Sequence, residues 1–377
     1  MNRVFHSATA RSLGVPVGAA GALLWSNLAA ESYYRIAHAL AFALNDVGMA
    51  LFFALLTQEV LEATMPGGAL HTWRRSALPI VAAIGGTIGA IGAYGAFVLA
   101  GDEHVLLSGW PILCAIDGGI AYFLVRVLIG SGGAAPFVVL MAIVSNAIGL
   151  IAISLHQHAD NVRPVGPLLI LVGATVSLWL TRLRLRTIWP QVVIGGALMW
   201  YGFWCSGLHP ALALIPIVPC LPRSPRHQSP FSGELAHGAH DSPGHIEHAL
   251  WMPVQLILFL FAFVNAGVVV HGIERGAWAV PVGALVGRPA GMLAAVGVSV
   301  ALGLRLPHGV GWRELVVVAL AASCAFAFGL FFATAVFATG PVLMEAKVGA
   351  LSTIVGGLIA TAAALLLAVG PFRATRV

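Results

Sequence analysis

Long apolar runs alternate with short polar breaks almost from one end of the chain to the other. A helix needs roughly 20 consecutive apolar residues to cross a hydrocarbon core about 30 Å thick. Runs bounded by charges, Pro or Gly give twelve segments here: residues 13–30, 36–57, 78–100, 109–129, 134–155, 165–181, 188–204, 207–221, 249–271, 279–303, 313–338 and 347–370. The seventh and eighth are short, with only Cys205-Ser206 between them. Because lipid offers no partner to backbone N–H and C=O groups, spans of this kind are helices. The pattern therefore predicts an all-α polytopic membrane protein. Residues 1–377 read as a single transmembrane domain, with a first half at 1–221 and a second at 249–377. The polar stretch 222–248 between them is rich in Pro, Ser, Gly and His and reads as a solvated cytoplasmic loop. His237, His240, His245 and His248 recur in it at short intervals, a composition also found in metal-binding tracts.

Composition removes the soluble alternatives. Hydrophobic residues make up 59% of the chain and charged residues 9%, against about 25% charged in a soluble domain. The net charge of +5 comes from arginines scattered through short connections, without the aromatic-interleaved stripe that tracks phosphates. Nucleic acid is not an expected partner. Cys114, Cys205, Cys220 and Cys324 lie in or beside apolar runs without CxxC spacing, so neither a disulfide framework nor a metal site is indicated. The sequence contains no HExxH and no GxSxG, its histidines fall mainly in loops or at span ends, and no cofactor is called for. An enzyme is not the expectation. Arg3 and Arg11 before an apolar stretch ending in Asn27-Leu28-Ala29-Ala30 resemble a cleaved signal peptide. Internal spans already direct such a chain to the membrane, so retention of this segment is expected.

An even number of spans puts both termini on one side. With the termini cytoplasmic, fourteen arginines fall inside, while Arg35, Arg163, Arg275 and Lys347 fall outside and Arg288 lies within a span. That asymmetry obeys the positive-inside rule, and moving one span would scramble it.

Charges inside the spans carry the functional signal, since each costs about 2.5–3.5 kcal/mol even on the lenient insertion scale. Asp46 lies in the second span after Asn45, Asp117 interrupts the fourth, and Arg288 stands in the tenth beside Pro289. Gly118 and Gly119 follow Asp117 and weaken the helix where the carboxylate sits. A broken transporter helix has this signature; a carboxylate capping backbone N–H groups at a kink has it as well. Arg288 cannot deprotonate, so it needs a carboxylate or carbonyl oxygens inside the protein. Asp46, near the head of its expected span, suits either a helix cap or a water-filled funnel.

At these residues the chain resembles the NhaA-type sodium/proton antiporters. The resemblance rests on Asn45-Asp46-Val47-Gly48-Met49-Ala50-Leu51-Phe52-Phe53 with Glu59-Val60, and on Pro79-Ile80-Val81-Ala82-Ala83-Ile84-Gly85-Gly86. It continues through Gly109-Trp110, Ala115-Ile116-Asp117 and Ser206-Gly207-Leu208-His209. Phe261-Ala262-Phe263-Val264-Asn265-Ala266-Gly267-Val268, Gly287-Arg288-Pro289-Ala290-Gly291 and Ala346-Lys347-Val348-Gly349 complete it, so that it covers nearly the whole chain. It implies a twelve-helix fold of inverted repeats in which the fourth and eleventh helices unwind and cross at mid-membrane. In that family the carboxylate at the position of Asp117 compensates the converging helix dipoles, with a Lys nearby at the position of Arg288. Paired aspartates on the fifth span bind sodium or protons alternately, and residues at the places of Glu59 and His209 belong to the cytoplasmic pH response. The resemblance further implies a bacterial-type inner membrane, sodium or lithium and protons as partners alongside the lipid bilayer, and leaves a homodimer open.

The departure falls on the fifth span, which reads Ala142-Ile143-Val144-Ser145-Asn146-Ala147-Ile148-Gly149 where the family has both aspartates. Arg288 also replaces a Lys, Ile116 a Thr, and Leu61 and Glu62 stand where the family is basic. Ser145 and Asn146 can lend oxygen lone pairs to an ion but do not titrate in the physiological range. Three readings follow: sodium/proton antiport with an ion site altered around Asp117 and Arg288; transport of another small anion or neutral solute; or a non-transporting scaffold or regulatory relative.

Overall fold

A computed structural model of the chain describes residues 2–64, 73–130, 132–156, 163–183, 188–221, 245–269, 274–307, 309–337 and 340–375. These are helical, with no strand among them. In chain order the helices are α1 (Asn2–Leu28), α2 (Ala30–Phe42), α3 (Met49–Thr64), α4 (Trp73–Ala100), α5 (Gly118–Leu128), α6 (Ala134–His156), α7 (Val165–Arg182) and α8 (Gly196–Cys205). Then come α9 (His245–Asn265), α10 (Ala279–Pro281), α11 (Arg288–Ala301), α12 (Trp312–Ala321), α13 (Phe326–Val336), α14 (Pro341–Ser352) and α15 (Val355–Leu366). A tighter 3-10 segment, His104–Cys114, precedes α5.

Six stretches of helix are long and apolar enough to cross a membrane, and up to eight if each of two bent pairs counts as one span. Two shorter apolar helices, Pro210–Cys220 and Val254–Asn265, stand beside them. The twelve expected spans are therefore not all carried by long helices. The eighth shows why: Pro210, Pro216 and Pro219 break it into the short turns Pro210–Leu212 and Ile215–Cys220. The stretch 222–244, which holds His237 and His240, lies outside the described residues.

The contacts divide the chain into two compact units, residues 1–12, 66–152 and 268–377 in one and residues 13–65 and 153–267 in the other. In the first unit α4 packs on α11 through glycine. A methyl group on Gly89 would collide with Gly287 O and come within 2.7 Å of Gly291 Cα, and one on Gly287 would collide with Gly89 O and meet Ala93 Cβ at 2.6 Å. Small residues let backbones approach where lipid supplies no hydrophobic drive. Each helix begins the same sequence of elements: α4, a broken pair (104–114 and α5), then α6; α11, a broken pair (α12 and α13), then α14 and α15. The first pair bends by 58° and the second by 47°.

In the second unit α7 and α8 also meet through glycines; a methyl on Gly173 would lie 2.8 Å from Met199 Cγ, and one on Gly202 2.9 Å from Ile170 N. Tyr33 closes the C-terminal end of α9: its hydroxyl lies 2.8 Å from the carbonyl oxygens of Phe263 and Val264 and accepts a hydrogen bond from Gly267 N at 3.0 Å. Asn45 and Asn265 exchange amide hydrogen bonds of 3.2 and 2.7 Å.

Candidate ion site at the broken helices

The fourth span stops being helical at Ala115, whose backbone is extended (φ −69°, ψ 132°), and restarts at Gly118. Asp117 is 5% exposed. Its backbone N–H donates to Cys324 O at 2.8 Å, inside the second break, so the two interrupted helices touch at this residue. Its carboxylate reaches across: Oδ2 accepts from Ala327 N at 2.7 Å and Oδ1 from Phe328 N at 3.2 Å. Both oxygens act as acceptors, the pattern of an ionised carboxylate, and they satisfy N–H groups that α13 cannot satisfy itself. The negative charge also sits at the positive end of that helix. Asp117 thus caps backbone at a kink, although the helix it caps is the eleventh span's second half rather than its own.

Arg288 is 1% exposed and opens α11. Its guanidinium donates to Leu113 O at 2.5 Å, to Ala115 O at 2.9 Å and to Ser145 Oγ at 3.4 Å, while Nε has no partner among the described residues. The sequence left a carboxylate or carbonyl oxygens as partners for Arg288, and the resemblance put it near Asp117. Among the described residues no salt bridge joins them. Each instead answers a different helix end: Arg288 the carbonyls where 104–114 runs out, Asp117 the N–H groups where α13 begins.

Ser145 and Asn146, both buried on α6, are committed to the same break. Ser145 Oγ donates to Cys114 O at 2.7 Å; with that proton used, the 3.1 Å contact to Thr87 Oγ1 makes Thr87 the donor. Asn146 accepts from Ile116 N and donates to Ile116 O, each at 2.9 Å. Ser145 and Asn146 therefore both bind backbone.

The remaining candidates lie in the second unit. Asp46 is half-buried in a wide helical turn, Ala43–Gly48, well inside the long stretch Ala30–Gln58 rather than at its head; its backbone oxygen accepts from Trp200 Nε1 at 3.3 Å. Because the helix starts at Ala30, Asp46 stands mid-span rather than at a capping position. His209 is 8% exposed, and its Nδ1 accepts from Ala211 N at 3.2 Å, capping the turn Pro210–Leu212. Glu59 falls on α3, but its side chain is outside the described residues. Lys347, counted from sequence among the outer connections, is buried on α14.

Two residues escaped the sequence reading. Thr87 carried a faint signal as a lone hydroxyl in an apolar run after Gly85-Gly86. Thr353 carried none; its Oγ1 accepts from Ala325 N at 3.1 Å and steadies the second break.

The family model "Na+/H+ antiporter 1" matches residues 3–367. A protein of Geobacter metallireducens named Na(+)/H(+) antiporter NhaA is 34% identical over 374 residues, covering 94% of this chain and 95% of its own. Proteins of the same name from Desulfitobacterium hafniense and Jannaschia sp. are 32% and 33% identical, covering 97% and 93% of this chain and 96% and 94% of their own. With its two broken helices joined at Asp117 and a match running almost end to end, the chain belongs to the Na+/H+ antiporter 1 family.

Proposed function

We propose that the chain is a secondary active transporter that exchanges sodium or lithium for protons across a bacterial-type inner membrane, with both termini cytoplasmic and Asp117 as the group the two cations share. The observation that carries this reading is the buried carboxylate at the junction of two interrupted helices. Each of its oxygens holds one backbone N–H and keeps a second lone pair. A carboxylate attracts sodium by its charge and accepts a proton when sodium leaves, which is what exchange at one site requires. Interrupted helices in a repeat fold are where transporters build such sites. The hydroxyl of Thr87 on α4, which donates to Ser145 Oγ, keeps its own lone pairs. The Arg excess in the inner connections supports the orientation.

The test is reconstitution in vesicles loaded with a pH-sensitive dye. Added sodium or lithium dissipates an imposed proton gradient; silence from pH 6 to 9 rejects the reading. One observation favours a second reading, transport of a small anion or neutral solute: a fully buried, permanently charged Arg288 that forms no salt bridge among the described residues. Under it, vesicles holding the native protein take up such a solute while added sodium moves no protons.

A further inference from the structure

We propose that Asn146 is a positioning residue, a fixed stand-in for a protonated carboxyl group that holds the extended segment 115–117 in place whatever the pH. Ile116 sits where neither half of the fourth span can satisfy its backbone, and a buried N–H or C=O left alone there is costly. Asn146, 2% exposed, meets both needs with one planar group: Oδ1 takes the Ile116 N–H and Nδ2 serves the Ile116 carbonyl, each at 2.9 Å. One donor and one acceptor offered side by side is what a neighbouring strand would provide. A protonated carboxyl group offers the same pair, whereas an ionised carboxylate offers two acceptors and would set an oxygen against Ile116 O with no proton between them. The amide does at every pH what the acid does only when protonated.

The rest of the segment is held independently. Ser145 Oγ takes Cys114 O, Arg288 takes Ala115 O, and Asp117 N takes Cys324 O. Among the described residues, the ionisable side chains that act on one another around this junction are Cys114 and Asp117 of the fourth span, Arg288 of α11 and Cys324 of the second break. None of them bonds to the Asn146 amide among the described residues. Position 146 therefore neither takes up nor releases a proton, and the clamp on Ile116 does not open as one would.

The test reads the backbone, so it stands apart from whether the chain exchanges sodium for protons. Hydrogen exchange of the peptide carrying Ile116 is followed by mass spectrometry on the full chain in lipid nanodiscs from pH 5 to 9, each variant compared with the native protein at the same pH. Asn146→Asp matches native protection at the acid end and loses roughly tenfold to hundredfold at the alkaline end, the size expected when a buried hydrogen bond is replaced by an unsatisfied pair. Asn146→Ala loses a similar factor at every pH, with no acid rescue. Native-like protection of Asn146→Ala across the whole range overturns the proposal, because Ile116 is then held by something else. Loss of protection in Asn146→Asp at acid pH equal to that at alkaline pH overturns it too, because the amide is then not equivalent to the acid.

Discussion

Replacing Asp117 by Asn keeps the shape of the side chain and removes its charge and one acceptor. In the native protein the two carboxylate oxygens take Ala327 N at 2.7 Å and Phe328 N at 3.2 Å. Asn satisfies one of these and turns an NH2 group toward the other, leaving a buried N–H unpaired at a cost of about 1–3 kcal/mol. Loss of the negative charge at the start of α13 adds about 0.3–2 kcal/mol. Relief from burying a charge works the other way, so a net loss near 2 kcal/mol is expected, roughly a thirtyfold shift in the folding equilibrium. The variant folds, therefore, with a lower melting temperature in detergent. Its transport fails far more completely, because no group at the junction then exchanges a proton for sodium. Sodium-driven dequenching of the pH dye in vesicles falls to the protein-free background, while light scattering shows the same vesicle-incorporated amount of protein. Sodium-linked proton flux within about threefold of native in Asp117→Asn would refute the assignment of Asp117 as the shared site.

Three further outcomes follow from the same geometry. With Asp117 as the only carboxylate at the junction among the described residues, exchange moves one proton per sodium, and a potassium diffusion potential imposed with valinomycin leaves the rate unchanged; a severalfold change in rate contradicts this. Arg288→Met strips Leu113 O and Ala115 O of these donors, at a cost of about 1–3 kcal/mol for each buried acceptor left unpaired; it is expected to aggregate on size-exclusion chromatography where Arg288→Lys elutes as a single folded species. Gly89→Ala forces a methyl into Gly287 and lowers the melting temperature by many degrees, whereas Gly92→Ala, with nothing within 4 Å, leaves it within a degree or two.

Much of the fold was legible because lipid enforces a simple rule: long apolar runs must be helices, and the exceptions are marked. Asp117-Gly118-Gly119 announced the first break by a charge and two weak helix formers. The second break, at 322–325, has no such mark, since Ala322-Ser323-Cys324-Ala325 is as apolar as any helix around it. It exists because Asp117 and Thr353 satisfy its backbone from elsewhere in the chain. The same limit applies to the site. The residue types at 117, 145, 146 and 288 were readable, but their pairing was not. A carboxylate and carbonyl oxygens were equally open as partners for Arg288, and the structure gives it carbonyls because interrupted helices supply dipole ends that attract each charge separately. Nothing in the spacing of Ser145 and Asn146 signals that they bind the backbone of 114 and 116.

The glycine contact between α4 and α11 has a mechanical consequence. Helices that interlock by side-chain ridges must climb over one another to turn, but where Gly85 and Gly89 lie against Gly287 and Gly291 the surfaces are main chain and the methyl groups of Ala93 and Ala295. Such a joint behaves as a bearing: it bears compression through close atomic contact yet offers no teeth against rotation. Arg288 follows Gly287 directly and reaches the interrupted fourth span, so a small swivel there would tug on the carbonyls of Leu113 and Ala115 at once.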